Sequence, residues 1–125
     1  MITYTVKVDK DKTEWYLNGQ LHREDGPAIE YSNGSKYWYL NGQRHRTDGP
    51  AVEYKDDYKA WYLNDKLHRT DGPAVEYGNG SKSWYLNGQQ LTEQEFLNRN
   101  KVTELTLEQI ADKFGISVDQ LKIKK

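Results

Sequence analysis

WYLNGQLHREDGPAIEYSNGSKY (residues 15–37), WYLNGQRHRTDGPAVEYKDDYKA (38–60) and WYLNDKLHRTDGPAVEYGNGSKS (61–83) follow one another without a gap, and a truncated copy, WYLNGQ, opens at Trp84. The tryptophans Trp15, Trp38, Trp61 and Trp84 are 23 residues apart, and His22/His45/His68 and Pro27/Pro50/Pro73 keep the same phase. A fixed period between 20 and 50 residues means stacked supersecondary units that bury apolar surface only against their neighbours.

Each unit decomposes into short strands and turns. Trp-Tyr-Leu is an aromatic strand. Asn-Gly at 18–19, 41–42 and 87–88 is a hairpin signal, because a type I′ turn needs positive φ at both central residues. The third copy carries the weaker Asn64-Asp65. Leu21-His22-Arg23 returns as a short strand. Asp25-Gly26-Pro27 makes a second turn, in which Asp bonds nearby amides and Gly takes the awkward φ. Proline then opens the strand Ala28-Ile29-Glu30-Tyr31, and Ser32-Asn33-Gly34-Ser35 turns the chain into the next copy. The expected fold is mainly β, a single-layer antiparallel β-meander of 23-residue repeats.

Alternation assigns faces. Within Trp-Tyr-Leu, Trp and Leu share one face and Tyr16, Tyr39, Tyr62 and Tyr85 take the other. A Trp/Leu/Ile/Val ladder is expected on the packed side, with Ile29/Tyr31, Val52/Tyr54 and Val75/Tyr77 on a common face, and the Tyr16-type ladder on the wetter side. Shifting 28–31 back by 23 lands on Thr5-Val6-Lys7-Val8, so residues 1–14 read as a half-repeat with a turn at Asp9-Lys10-Asp11-Lys12. The organisation is then 1–14, repeats over 15–89, and a segment over 90–125.

Composition supports one small domain. Leu, Ile, Val and Phe total only 24 of 125 residues, but Trp and Tyr add 14. Such rings suit a thin sheet, since they pack while their polar atoms reach water. There is no cysteine, which excludes disulfides and thiolate metal sites. The net charge of -1 argues against a dedicated nucleic-acid or membrane-surface binder. The N-terminal MITYTVKVDKDK lacks a long apolar run after a basic start, so no signal peptide is expected, and the expected compartment is the cytoplasm.

The unit, aromatic-x-Asn-Gly-x-x-His, a Gly-bearing turn, then Tyr-x-Asn-Gly-x-Lys, resembles the MORN repeat and its variants over residues 15 to about 89. The spacing departs from the usual pattern, with Asp-Gly-Pro-Ala replacing Gly-x-Gly. The version WYLNG…LHRxDGPA more specifically resembles repeat proteins common in tailed-bacteriophage genomes. The resemblance implies a β-meander and an interaction role, without a catalytic residue. It makes a protein of the bacterial host the expected partner, bound and inhibited by occlusion, and the host cytoplasm the expected location.

After Gly88 the repeat stops. Thr92 with Glu95 is a capping box, predicting a helix over about 92–99. Thr106 is a second N-cap, with Leu107, Ile110, Ala111 and Phe114 at helical spacing and Gly115 as a stop. Residues 117–124 read equally as a short helix or a strand. LEQIADKFGISVDQL resembles a helix-turn-helix, but residues 89–125 hold six basic and six acidic side chains. That neutrality favours a helical C-terminal cap over the sheet end.

The His-Arg-x-Asp triplets are His22/Arg23/Asp25, His45/Arg46/Asp48 and His68/Arg69/Asp71. They read as metal or catalytic groups, or as one local solution repeated three times. Recurrence in every unit favours the second, with Asp capping its turn, His bonding a neighbouring copy's backbone or packing on a Trp, and Arg pairing with Asp. No cofactor, metal or catalytic residue is assigned. The expected function is non-enzymatic protein binding, through a surface of Tyr16, Tyr39, Tyr62, Tyr85, His22, His45, His68, Arg23, Arg44, Arg46 and Arg69. The alternatives are a nucleotide- or sugar-sequestering pocket lined by Tyr39, Tyr62, His45 and Arg46, and DNA binding through 106–124. The exposed edge at residues 2–8 makes the chain a monomer or an edge-paired homodimer.

Overall fold

The structure, a computed structural model, describes residues 2–99 and 108–109. β1 (Tyr4–Val8) and β2 (Lys12–Leu17) form an opening hairpin, and β3 (Gln20–Leu21) folds back on β2. The first copy continues through β4 (Ile29–Tyr31) and β5 (Lys36–Tyr37). The second adds β6 (Tyr39–Leu40), β7 (Gln43–Arg44), β8 (Val52–Glu53) and β9 (Lys59–Ala60). The third adds β10 (Tyr62–Leu63), β11 (Lys66–Leu67), β12 (Val75–Glu76) and β13 (Lys82–Leu86). β14 (Gln89–Leu91) and helix α1 (Glu93–Arg99) follow. The main sheet is an antiparallel meander ordered β1-β2-β4-β5-β8-β9-β12-β13-β14, while β6–β7 and β10–β11 stand as two-stranded hairpins beside it. No helix of the described residues is long and apolar enough to cross a membrane.

The hairpin turns form as their residues dictate. Asn41-Gly42 takes φ of 51° and 77°, and Asn64-Asp65 takes the same turn at 49° and 66°, an aspartate in the left-handed region. Across the sheet, one row of paired positions runs Glu14, Ile29, Tyr37, Val52, Ala60, Val75, Ser83. The neighbouring row runs Thr13, Glu30, Lys36, Glu53, Lys59, Glu76, Lys82, a ladder of alternating charge that projects from the opposite face.

That register corrects the expected faces. Ala60 pairs with both Val52 and Val75, and Tyr62 lies two residues on, so Tyr62 joins their face and Trp61 takes the other. The core cluster is accordingly Val52, Ala60 and Val75 under half-buried Tyr37, Tyr58, Tyr62, Tyr85 and Leu67. Counting alternation within Trp-Tyr-Leu alone misses this, because the pairing partner of Val is the residue just before Trp.

The N-terminal half-repeat is also corrected. Val6 pairs with Trp15 and Val8 with Thr13, one residue out of step with the copies, where Ile29 pairs with Tyr37. The cause is the turn. Asp9 N–H donates to the Lys12 carbonyl (3.0 Å), closing a loop of Lys10 and Asp11, whereas Tyr31 N–H donates to the Ser35 carbonyl (2.9 Å) across a loop one residue longer. Asp9 Oδ1 accepts from the Asp11 and Lys12 amides and holds the short form. A one-residue slip reverses faces, so Tyr4, Val6 and Val8 lie on the tryptophan side.

At the far end the predicted capping box forms. Thr92 N–H donates to Glu95 Oε1 (3.0 Å) and Glu95 N–H donates to Thr92 Oγ1 (3.1 Å). α1 packs on β13 and β14, with Phe96 buried. Glu108 and Gln109 are helical, inside the second predicted helix. The remainder of that helix, the 117–124 segment and the helix-turn-helix resemblance lie outside the described residues.

Candidate functional site

The histidines and three of the arginines tie successive copies together. His22 Nδ1 accepts from Asn41 N–H (2.9 Å), His45 Nδ1 from Asn64 N–H (3.0 Å) and His68 Nδ1 from Asn87 N–H (2.9 Å). Arg23, Arg46 and Arg69 donate their amides to the carbonyls of Tyr39, Tyr62 and Tyr85. With Nδ1 accepting, the neutral imidazole keeps its hydrogen on Nε2, which remains as a donor.

Each guanidinium stands with its carbon over the tryptophan of its own copy, 4.2 Å from the Trp15 ring centroid for Arg23 and 3.8 Å from those of Trp38 and Trp61 for Arg46 and Arg69. Its Nε donates to Asp25, Asp48 or Asp71 at 3.0, 2.8 and 2.8 Å. Its Nη1 donates to the carbonyl of Pro27, Pro50 or Pro73. Glu30, Glu53 or Glu76 completes the shell at 3.6, 3.5 and 3.2 Å. The Arg46 and Arg69 hydrogen bonds hold the Asp48 and Asp71 carboxyls below the ordinary range. The aspartate of the Asp-Gly-Pro turn thus pairs with Arg, as the sequence indicated. Its glycine, by contrast, is not in the left-handed region. A Cβ on Gly49 would sit 2.9 Å from Arg46 Cζ and one on Gly72 3.0 Å from Arg69 Cζ, so glycine lets the guanidinium approach the turn more closely than a side chain there would.

The eleven residues expected to form one surface divide between two faces. Tyr16, Tyr39, Tyr62, Tyr85 and Arg44 lie on the Ile/Val side. His22, His45, His68, Arg23, Arg46 and Arg69 lie on the Trp side. The pocket expected from Tyr39, Tyr62, His45 and Arg46 therefore does not assemble. Tyr16 donates its hydroxyl to Glu14 Oε2 (2.8 Å), a bond that raises its pKa, and burial raises that of Tyr39. Arg44 replaces the leucine found at 21 and 67. Its guanidinium stands 4.2 Å from the Tyr62 ring centroid, its Nε donates to Asp65 Oδ1 (2.6 Å) and its Nη1 donates to the Tyr62 hydroxyl (3.2 Å).

A second tyrosine set escapes the sequence period. Tyr31, Tyr37, Tyr54, Tyr58 and Tyr77 form a continuous run with ring centroids 5.7, 5.7, 4.9 and 5.5 Å apart, mostly edge to face. Tyr54 and Tyr77 are each 43% exposed. Tyr31, Tyr54 and Tyr77 repeat every 23 residues, but Tyr37 and Tyr58 occur once each at different phases. Register alone brings the five together. Burial first, then a hydrogen bond with Tyr54, pushes the Tyr37 phenol well above its ordinary value.

On the Trp side, two related grooves open between successive Asp-Gly-Pro turns. One of about 510 Å³ is floored by Trp38, Leu40 and His45. The next, about 610 Å³, is floored by Trp61, Leu63 and His68. Arg46, Thr47 and Asp48 form a wall shared by both. Among the described residues no group of three or more His, Asp or Glu could hold a metal ion. No family model, curated protein or solved structure matches this chain.

Proposed function

We propose that this chain is a non-enzymatic protein-binding module, and that its contact surface is the tyrosine face. The observation that carries this reading is the five-ring run with Tyr54 and Tyr77 open to solvent. Rigid aromatic rings lose little entropy on contact, and tyrosine and arginine are favoured interface anchors. Arg44 supplies a cation on the same face. The His-Arg-Asp triplets recur in each copy and are engaged in joining copies, which supports a scaffold rather than a reaction centre. The resemblance to tailed-phage repeat proteins makes a bacterial host protein, inhibited by occlusion, the partner to seek.

Affinity capture from bacterial lysate tests this with the wild-type chain beside Tyr54→Ser/Tyr77→Ser, whose fold is checked by circular dichroism. The expected result is a stoichiometric host protein that the double variant fails to retain. Recovery of no stoichiometric protein, or equal recovery by both chains, overturns the proposal.

A further inference from the structure

The tryptophan row is occupied at one end by the chain itself. Because β1 is slipped by one residue, Tyr4 lies on the Trp side and packs edge-on against Trp15, with centroids 5.9 Å apart at 75°. It also covers His22 at 6.1 Å, leaving that residue 5% exposed. Trp15 and His22 are the first-copy equivalents of Trp38/His45 and Trp61/His68. Those later pairs are half-buried and floor the two open grooves. At the other end, α1 packs on the strand that carries Trp84. The molecule thus displays one Trp-His site filled by a tyrosine ring and two homologous sites open.

We infer that the Trp38/His45 and Trp61/His68 grooves form a tandem site for two tyrosine side chains of an extended, lysine-bearing segment in a partner protein. The spacing favours one backbone form. Each copy advances the sheet by two strands, about 9.6 Å. A polyproline II segment repeats every three residues at 3.1 Å each, about 9.3 Å, so Tyr-x-x-Tyr presents two rings in step with the grooves. An extended β-strand points residues i and i+3 to opposite sides and does not match. Charge favours lysine in the segment. The Asp25, Asp48 and Asp71 side chains stand 86%, 82% and 82% exposed at the groove rims. The arginine side chains that pair with them are only 21% exposed and stand over the tryptophan rings. An approaching segment therefore meets carboxylate first. Each groove also offers an imidazole Nε2 hydrogen, since Nδ1 is already engaged. This surface faces away from the tyrosine face, so the inference stands or falls separately from the reading above.

The test titrates the full chain with the synthetic peptide Lys-Tyr-Lys-Pro-Tyr-Lys, read by calorimetry and tryptophan fluorescence. Controls replace one or both tyrosines by alanine. The two-tyrosine peptide is expected to bind at least about tenfold more tightly than either one-tyrosine peptide, because the second ring binds at high effective concentration. Thr47→Arg, at an exposed position in the shared wall, is expected to weaken binding by a similar factor with unchanged thermal midpoint. Tyr54→Ser/Tyr77→Ser is expected to leave it intact. Tyr4→Ala opens the first site, and a peptide with a third in-phase tyrosine is expected to gain affinity only for that variant. Equal binding of the two-tyrosine and no-tyrosine peptides overturns the inference, as does indifference to Thr47→Arg. Loss of binding in the tyrosine-face variant places the peptide on the wrong face and overturns it equally.

Discussion

Arg44→Leu and Asp65→Gly each restore a residue that other copies carry, and the structure predicts that their effects depend on one another. Asp65 holds φ at 66°, where the equivalent Gly42 takes 77°. A left-handed aspartate costs about 1 kcal/mol relative to glycine. Against this, Asp65 accepts from Arg44 Nε at 2.6 Å, and Arg44 sits over the Tyr62 ring. The two side chains are 36% and 45% exposed, so the ion pair contributes roughly 0.5 to 1 kcal/mol. In the wild-type background, Asp65→Gly relieves the strain and loses the pair, and the net change is near zero. In the Arg44→Leu background only the long bond from the residue-44 amide to Asp65 Oδ1 (3.3 Å) remains to lose, and the same substitution stabilises by roughly 0.5 kcal/mol. Urea unfolding of the four chains at constant m-value measures the cycle, and the coupling is expected to shrink in high salt. An identical effect of Asp65→Gly in both backgrounds refutes the reasoning. So does destabilisation in the Arg44→Leu chain, which would mean that the turn prefers aspartate for its own sake.

Gly72→Ala places a Cβ 3.0 Å from Arg69 Cζ, so the guanidinium must give by a few tenths of an ångström over Trp61; this is expected to cost up to about 1 kcal/mol in thermal unfolding and nothing once Arg69 is alanine. Tyr37 titrates above its ordinary phenol value of 10.0 when folded, so its contribution is complete below that pH and is lost as the pH rises through and beyond it. Tyr37→Phe is accordingly expected to flatten the alkaline limb of the urea midpoint-versus-pH curve; an unchanged limb would show that the buried phenol is not responsible.

The meander, its turns, the histidine joint between copies and the Arg-Asp pair within each copy are legible in the sequence because they are local and repeat. Asn-Gly needs only its own φ values, and recurrence of His-Arg-x-Asp in each copy points to joints between copies. Faces are less legible, because they depend on which residues pair across strands. Tyr62 falls on the Val52 side only once Ala60 is known to oppose Val52. The slip of β1 depends on a turn shorter by one residue, and no pattern within Thr5-Val6-Lys7-Val8 reports it. The five-tyrosine run is hidden for the same reason, since Tyr37 and Tyr58 share no phase and meet through register.

The irregularities of the array carry information that its regularity conceals. Arg44 departs from leucine in the second copy, and the residue it grips, Asp65, is the one departure from glycine in the third copy's hairpin turn. A second departure, Lys55-Asp56-Asp57-Tyr58, also has a facing counterpart. Gly78 stands where the other copies carry Ser32 and Lys55, and a Cβ there would overlap the Asp56 carbonyl oxygen. In both cases the second copy's change meets a change in the third, across the same joint. The copies are therefore not interchangeable at these two positions, where each departure meets a matching one in the next copy. Exchanging the second and third copies would separate Arg44 from Asp65 and Asp56 from Gly78. Stacking identical units invites slippage by one whole repeat, and paired irregularities at one joint give the array a single in-step alignment. That fixed order is what the non-periodic tyrosine run requires, since Tyr58 of the second copy packs on Tyr77 of the third.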